Sequence, residues 1–347
     1  MTLKRQQRYE ITEFLLWNIR DHPSDIVRVT QENFKISRPA VLRYIHKLIQ
    51  ENRIEVEGTT RNRKYSLVTA STMRRAYEIN SSLAEDKVWR NDVVPLLKGI
   101  KENVVGICHY GFTEIFNNAI DHSQGTQIEI DVKIWIDKID MRISDNGIGI
   151  FINIQQKCKL DDPLHAILEL SKGKLTTEPE THSGEGIFFS SRMFDFFAIL
   201  SDKLVFGYKD NLDLLLETED DRHGTSVHME ISTASTRTTE SVFSKFTKDF
   251  GFDKTIVPVR LARYGNENLI SRSQAKRLIA RLDRFKTVIF DFKEVNQIGR
   301  AFADEIFRVF ANANPVIQII PTNESKKVKA LIQEIKREKE KVSKIQG

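Results

Sequence analysis

Apolar positions recur with two different periods along this chain, and the changes of period mark its modules. Near the N-terminus the spacing is helical. One amphipathic pattern covers Gln7–Arg20 and stops before His22-Pro23, and a second covers Asp25–Phe34. A third follows Ser37, read as its N-cap, with Pro39 in the first turn, where a missing N–H costs little, and ends near Asn52. At 100° per residue Val41, Tyr44, Ile45 and Leu48 of this third helix share one face. Residues 53–67 then alternate as strands do, around a turn at Gly58-Thr59-Thr60. Residues 71–100 predict connecting helix, broken near Pro95, and a long helix spans Glu102–His122. Strand patterns follow at Thr126–Ile136 and Lys138–Ser144. A polar stretch over 150–183 predicts one short helix after Pro163, and strand-like runs return between Phe196 and Ile231. In the last third, strands at Ile256–Leu261, Val288–Phe292 and Val316–Ile320 alternate with helical patterns such as Ala275, Leu278, Ile279, Leu282 and Val328, Leu331, Ile332, Ile335. That alternation predicts a small α/β domain.

Composition adds exclusions. A length of 347 residues suits two or three domains. With 40% hydrophobic and 29% charged residues, disorder of the whole chain is excluded. Two cysteines, Cys108 and Cys158, exclude a disulfide scaffold, and no histidine stands at metal-ligand spacing from them. Cys108, within the long helix, reads as core. No apolar run approaches the ~20 residues of a membrane helix, and the basic N-terminus has no apolar stretch behind it. The expectation is a cytoplasmic protein with no membrane contact.

Charge is placed unevenly. The net charge is +5. Residues 1–70 hold 13 basic against 8 acidic side chains, residues 322–347 hold 8 against 4, and the body between them is mildly acidic. In the head, Arg43, His46, Lys47 and Gln50 lie opposite the core stripe of the third helix, with Arg38 in its first turn, and Arg61, Arg63 and Lys64 stand at the hairpin tip. Packed behind, cationic and hydrogen-bonding in front, this is the pattern of a helix that reads double-stranded DNA, with a hairpin suited to phosphate contacts. A merely solvated basic face or a protein-binding face are the competing readings. Residues 1–70 resemble the winged helix-turn-helix domain of transcription regulators, and the resemblance implies DNA binding by these eight residues.

Three short motifs occur in the body. In the first, Phe112–His122, Glu114, Asn118 and Asp121 lie at i, i+4 and i+7 on one helical face. An acid and an amide so placed can orient a water and ligate a hard cation; a capped or solvated polar face would look the same. The second, Asp145-Asn146-Gly147-Ile148-Gly149, directly follows a strand. Its carboxylate can accept from an exocyclic amine, while a plain turn explains it equally. The third, His182-Ser183-Gly184-Glu185-Gly186-Ile187, opens an apolar helical run, and glycines at a helix N-terminus present N–H groups to phosphate. Asp121 and Asp145 are 24 residues apart, and Gly184 follows Asp145 by 39.

In that order and spacing the motifs resemble the GHKL ATPase superfamily over about residues 85–232. The resemblance implies an α/β sandwich that binds ATP with Mg2+. It implies Glu114 as general base, Asn118 as Mg2+ ligand, and Asp145 as the adenine-binding acid with Gly147 and Gly149 beside it. It further implies Asp121, Ser183, Gly184, Gly186 and Thr225 as nucleotide contacts, and 150–183 as a lid carrying Lys172 and Lys174 as candidate phosphate contacts. No phosphoacceptor segment precedes it, which argues against a sensor histidine kinase.

Residues 250–335, with Val288–Glu305 read as strand, loop and helix, resemble a STAS-like domain. The phosphorylated members open this helix with Ser or Thr, and Gln297–Glu305 holds neither. Asp304 and Glu305 read as exposed acids near a helix N-terminus.

The expected organisation is therefore multidomain α+β: a winged helix (1–70), a GHKL α/β sandwich with connecting helices (71–235), a small STAS-like α/β domain (250–335) and a basic tail (336–347). The expected function is an ATP-binding, ATP-hydrolysing DNA-binding regulator, with a homodimer or a protein partner of the STAS-like domain as further expectations. An anti-sigma-type serine/threonine kinase acting on a separate protein and a nucleotide-binding scaffold are the alternatives.

Overall fold

The computed structural model describes residues 10–346 apart from 13, 17, 52, 60–61, 176–183, 211, 220–222, 249–250 and 264–267. Helical positions within 10–18 (α1), α2 (Ile26–Phe34) and α3 (Arg38–Gln50) pack against a hairpin of β1 (Ile54–Glu57) and β2 (Lys64–Leu67). Their apolar faces meet in a separate core that includes Leu15, Ile19, Ile26, Val41, Ile45 and Tyr65. Ser37 occupies the N-cap of α3, but its side chain makes no cap bond. Its carbonyl oxygen instead accepts from the N–H groups of Ala40 and Val41.

Val68 alone separates β2 from β3 (Thr69–Glu78), the edge strand of a seven-stranded sheet. This corrects the connecting helix expected from residue 71. An edge strand turns one face inward, here Met73 and Tyr77, and draws the rest of its stabilisation from cross-strand bonds that leave no mark in the sequence. Helix begins only at α4 (Glu85–Val88), which runs on through a π turn (Trp89–Val93) and a 3₁₀ turn (Val94–Leu97).

The sheet contains β4 (Gln127–Trp135), β5 (Lys138–Asp145), β6 (Phe196–Ser201), β7 (Leu204–Lys209), β8 (Leu212–Glu217) and β9 (Thr225–Ser232). They are arranged β3-β4-β5-β9-β6-β7-β8 with every pairing antiparallel. Strict alternation puts Ile128, Ile130, Val132, Met141, Ile143 and Met229 on the face covered by α5 (Glu102–His122). Cys108 lies in that layer, and burial pushes its thiol up to about 12. Besides α7 (Pro163–Lys172), the polar stretch contains an unexpected helix, α6 (Ile150–Cys158), before α8 (Gly186–Met193).

Beyond α9 (Thr239–Phe246) and the short strands β10 (Thr247–Lys248) and β11 (Gly251–Phe252), the C-terminal module has a parallel sheet. Its order is β12 (Lys254–Pro258), β13 (Thr287–Asp291), β14 (Gln318–Thr322). Around it lie α10 (Arg272–Ile279), α11 (Arg300–Asp304) with a π turn (Glu305–Phe310) and α12 (Ala311–Ala313), and α13 (Lys326–Gln346). Two boundaries move: β12 stops at Pro258, and β14 begins two residues later than expected, leaving Val316 89% exposed. Glu305, expected to be exposed, is buried in the π turn, while Asp304 pairs with Arg308. The body and the C-terminal module share one continuous apolar core, knitted by Phe188, Phe246, Phe252 and Phe285. Among the described residues no helix is long and apolar enough to cross a membrane.

Candidate functional site

The C-terminal half of α5, the end of β5, the start of α6, the N-terminus of α8 and the start of β9 meet around a cavity of about 290 Å³, near the lower end of small-molecule sites. Each side chain is placed by its element. On α5, Glu114, Ile115, Asn118, Ala119 and His122 form the stripe that lines the cavity. Asp121 does not line it: it falls about 90° from the middle of that stripe and is exposed.

Asp145, the last residue of β5, is the polar floor. Its Oδ1 accepts from the Gly147 N–H at 2.9 Å and the Thr225 N–H at 3.3 Å, so both backbone bonds fall on one carboxylate oxygen. Burial holds this carboxyl above the ordinary aspartate range, against the opposing effect of those two N–H donors and of the Thr225 hydroxyl. Gly147 is thus a buttress of Asp145 and does not itself line the cavity. Gly224, which precedes Thr225, has φ +91°, and a Cβ there would lie 2.1 Å from the Asp145 carbonyl oxygen, so only glycine brings Thr225 this close. The Thr225 hydroxyl accepts from the Ile150 N–H at 3.0 Å, tying the start of α6 to β9.

Glu114 faces the N-terminus of α8. A Cβ on Gly186 would stand 1.9 Å from its Oε2, so the absent side chain is the space the carboxylate occupies. The Tyr110 hydroxyl, one turn earlier on α5, hydrogen-bonds Glu114, and burial together with the Glu114 charge holds the phenol well above its usual range. Gly184, Gly186 and Ile187 line the cavity at the start of α8, where N–H groups give a helix its positive end. Most of the remaining wall is apolar, with Ile143, Ile154, Leu170, Leu175 and Val227 beside Ser123 and Asn153. Two carboxylates and no lysine or arginine are among the described lining residues.

Seven of the predicted residues therefore come together here: Glu114, Asn118, Asp145, Gly149, Gly184, Gly186 and Thr225. Ser183 lies outside the described residues. Lys174 does not line the cavity: it donates to the Arg284 carbonyl at 3.1 Å, and its charge reaches Glu185, while Lys172 is buried against the C-terminal module. Both lysines are candidate phosphate contacts by resemblance; here carbonyls more than 100 residues away hold them, together with Glu169 for Lys172. Sequence reasoning also missed His122 and Asn153. His122 continues the four-residue spacing of Glu114 and Asn118, a signal that was available. Asn153 carries no motif; its buried amide donates to the His122 carbonyl at 2.6 Å and closes the cavity between α5 and α6.

At the other end of the chain, Arg38, Arg43, His46, Lys47 and Gln50 are exposed along α3, as are Arg63 and Lys64 on the hairpin, while Arg61 lies outside the described residues. Lys47 also reaches Glu51 at 3.5 Å. This module is fastened to the body beyond its covalent link. Arg20 pairs with Asp137 at 3.1 Å and stacks 4.5 Å over Trp135, at the turn that leads into β5.

On the opposite face of the sheet, Asp140, His228 and Glu230 cluster with Lys138, whose ammonium is 2.7 Å from Glu230. Burial alone would lower the His228 imidazole, but the two carboxylates outweigh it and raise it to about 9. In the C-terminal module the Gly299 N–H donates to the Leu269 carbonyl at 2.7 Å, so the start of α11 is covered by the chain before α10.

A family model described as a STAS-like domain of unknown function (DUF4325) matches residues 274–329, well under half of the chain. No curated protein matches it.

Proposed function

We propose that this chain is an ATP-binding, slowly ATP-hydrolysing regulator that binds duplex DNA through its N-terminal module, with nucleotide state controlling DNA or partner binding. One observation carries the reading: a carboxylate held by two backbone donors, a second carboxylate set against a helix N-terminus, and an asparagine between them share one cavity.

Each part has a task in that reaction. Asp145 keeps one oxygen on the backbone and offers the other to the exocyclic amine of adenine, while the apolar walls take the faces of the base. The positive end of α8 suits the phosphates. The lining residues fit Mg2+ as well: two carboxylates, with no lysine or arginine among the described lining residues, leave a triphosphate uncompensated there, and the Asn118 amide oxygen is a hard ligand. Mg2+, when bound, offsets phosphate charge. Glu114 accepts the proton of the water that attacks the γ-phosphorus, and the bridging β–γ oxygen leaves with the ADP. The Tyr110 hydroxyl orients Glu114.

The route to the head is short. β5 begins beside Asp137, where Arg20 docks, and ends at Asp145 in the cavity. With Val68 as the whole linker, the head moves with the sheet, so a nucleotide-dependent shift changes the spacing of two heads in a dimer. In the C-terminal module, a start of α11 that lacks Ser and Thr and is covered by Leu269 favours a docking role over a phosphoacceptor role.

The test is DNA binding across a salt series, with and without a slowly hydrolysed ATP analogue and Mg2+. The reading expects a log–log salt slope of about −3 to −5 for each head and a shift of the curve on adding the analogue. Superimposable curves would remove the coupling, and salt-insensitive binding would remove the DNA-facing role of α3.

A further inference from the structure

Residues 170–175 face two ways. Leu170 and Leu175 line the nucleotide cavity. Between them, the polar groups turn to the C-terminal module. Lys172 is 1% exposed, and its Nζ donates to Glu169 at 2.7 Å, to the Ala280 carbonyl at 3.0 Å and to the Arg277 carbonyl at 3.1 Å. The Thr255 hydroxyl donates to the Lys172 carbonyl at 2.6 Å. Lys174 and Arg284 exchange a reciprocal pair: Lys174 Nζ to the Arg284 carbonyl at 3.1 Å, and the Arg284 guanidinium to the Lys174 carbonyl at 3.2 Å. The Lys174 ammonium also lies 4.9 Å from the centre of the Phe285 ring.

A loop that moved freely over its cavity would leave these groups in water. Here an ammonium is taken out of water and satisfied by three acceptors, two of them carbonyls of the other module. Separating the modules would strand that charge, so the contact behaves as a latch with an engaged and a disengaged state. Leu170 and Leu175, at the two ends of the same segment, line the cavity, so the two states differ at the nucleotide.

We propose that the C-terminal module controls nucleotide exchange by latching segment 170–175 in its cavity-closing position, so that docking of the module and retention of nucleotide are one equilibrium. The proposal rests on the nucleotide reading above. By linkage, whatever loosens the module weakens nucleotide binding, and bound nucleotide tightens the module by the same factor; the weaker binding is read as faster release. A partner protein that takes hold of the module at α10 would thus act as an exchange factor.

The experiment is stopped-flow release of a fluorescent ATP analogue with Mg2+ from the full chain. Lys174→Ala and Arg284→Ala should each raise the release rate about 5- to 10-fold, and the double variant by more than either single, because each removes one side-chain donor and leaves the other's bond to a backbone carbonyl in place. Lys286→Ala, which removes an exposed pair with Asp253 at 2.7 Å on the same module, should leave release within about twofold. Hydrogen exchange at amides 272–285 should slow when the analogue binds. Release rates unchanged in both latch variants, with the analogue bound as in wild type, would overturn the latch and leave the nucleotide site standing. Failure of the wild-type chain to bind the analogue would overturn both.

Discussion

Replacing Gly186 by alanine puts a methyl group where Glu114 now sits. The new Cβ would lie 1.9 Å from Glu114 Oε2 and 2.7 Å from its Cδ. Ordinary contact requires about 3.4–4 Å, so the carboxylate must retreat by about 1.5 Å or more. A displacement of that size at a catalytic group costs about 100-fold in rate, or about 2.7 kcal/mol of activation free energy. That falls within the ~100- to 10,000-fold that a positioned general base contributes. Folding is not at risk, because Gly186 opens an eight-residue helix and alanine favours helix by about 1 kcal/mol over glycine. The expected result is therefore specific: phosphate release falls about 100-fold, ATP affinity changes less than about threefold, and the melting temperature is unchanged or higher. In a Glu114→Ala background, Gly186→Ala should cost almost nothing more. A Gly186→Ala protein that turns over ATP within about threefold of wild type would refute Glu114 as the base.

Three further outcomes follow. Glu114→Gln should abolish turnover while retaining ATP in an equilibrium binding assay; turnover at the wild-type rate would contradict the assignment. Asp145→Asn keeps an oxygen for the Gly147 and Thr225 N–H groups but turns the second position from acceptor to donor, so ATP affinity should fall about 100-fold without loss of fold, as read by calorimetry and circular dichroism. His228 has a folded-state value raised from 6.5 to about 9. Its contribution, on the order of 2 kcal/mol, is therefore complete below pH 6.5 and lost as pH rises through 9, and His228→Gln should flatten the urea-unfolding stability between those limits. An unchanged pH profile in that variant would reject the role given to the Asp140–His228–Glu230 cluster.

Much of the fold could be read from the chain because its buried faces have regular periods. The alternation of β4, β5 and β9 and the 3.6-residue stripe of α5 follow directly from one-sided burial. β3 escaped because an edge strand needs only Met73 and Tyr77 inward, and α6 because the glycines before it read as loop. The cavity was legible where its lining residues recur at one spacing along one element, as at Glu114 and Asn118. It was not legible where a residue serves through tertiary contact alone. Asn153 closes the cavity through a carbonyl 31 residues away, and the amine of Lys172 reaches carbonyls more than 100 residues ahead. A lysine in a polar stretch looks the same in sequence whether it meets phosphate or the underside of another module.

The most direct measurement is calorimetric titration of the full chain with ATP, in Mg2+ and again in excess EDTA. The account predicts saturable binding at one site per chain that depends on Mg2+, because Glu114 and Asp145, and no lysine or arginine, are among the described residues that line the cavity. It also predicts that Asn118→Ala weakens this binding at least tenfold. No heat of binding up to millimolar ATP, or binding indifferent to both EDTA and Asn118→Ala, would contradict it.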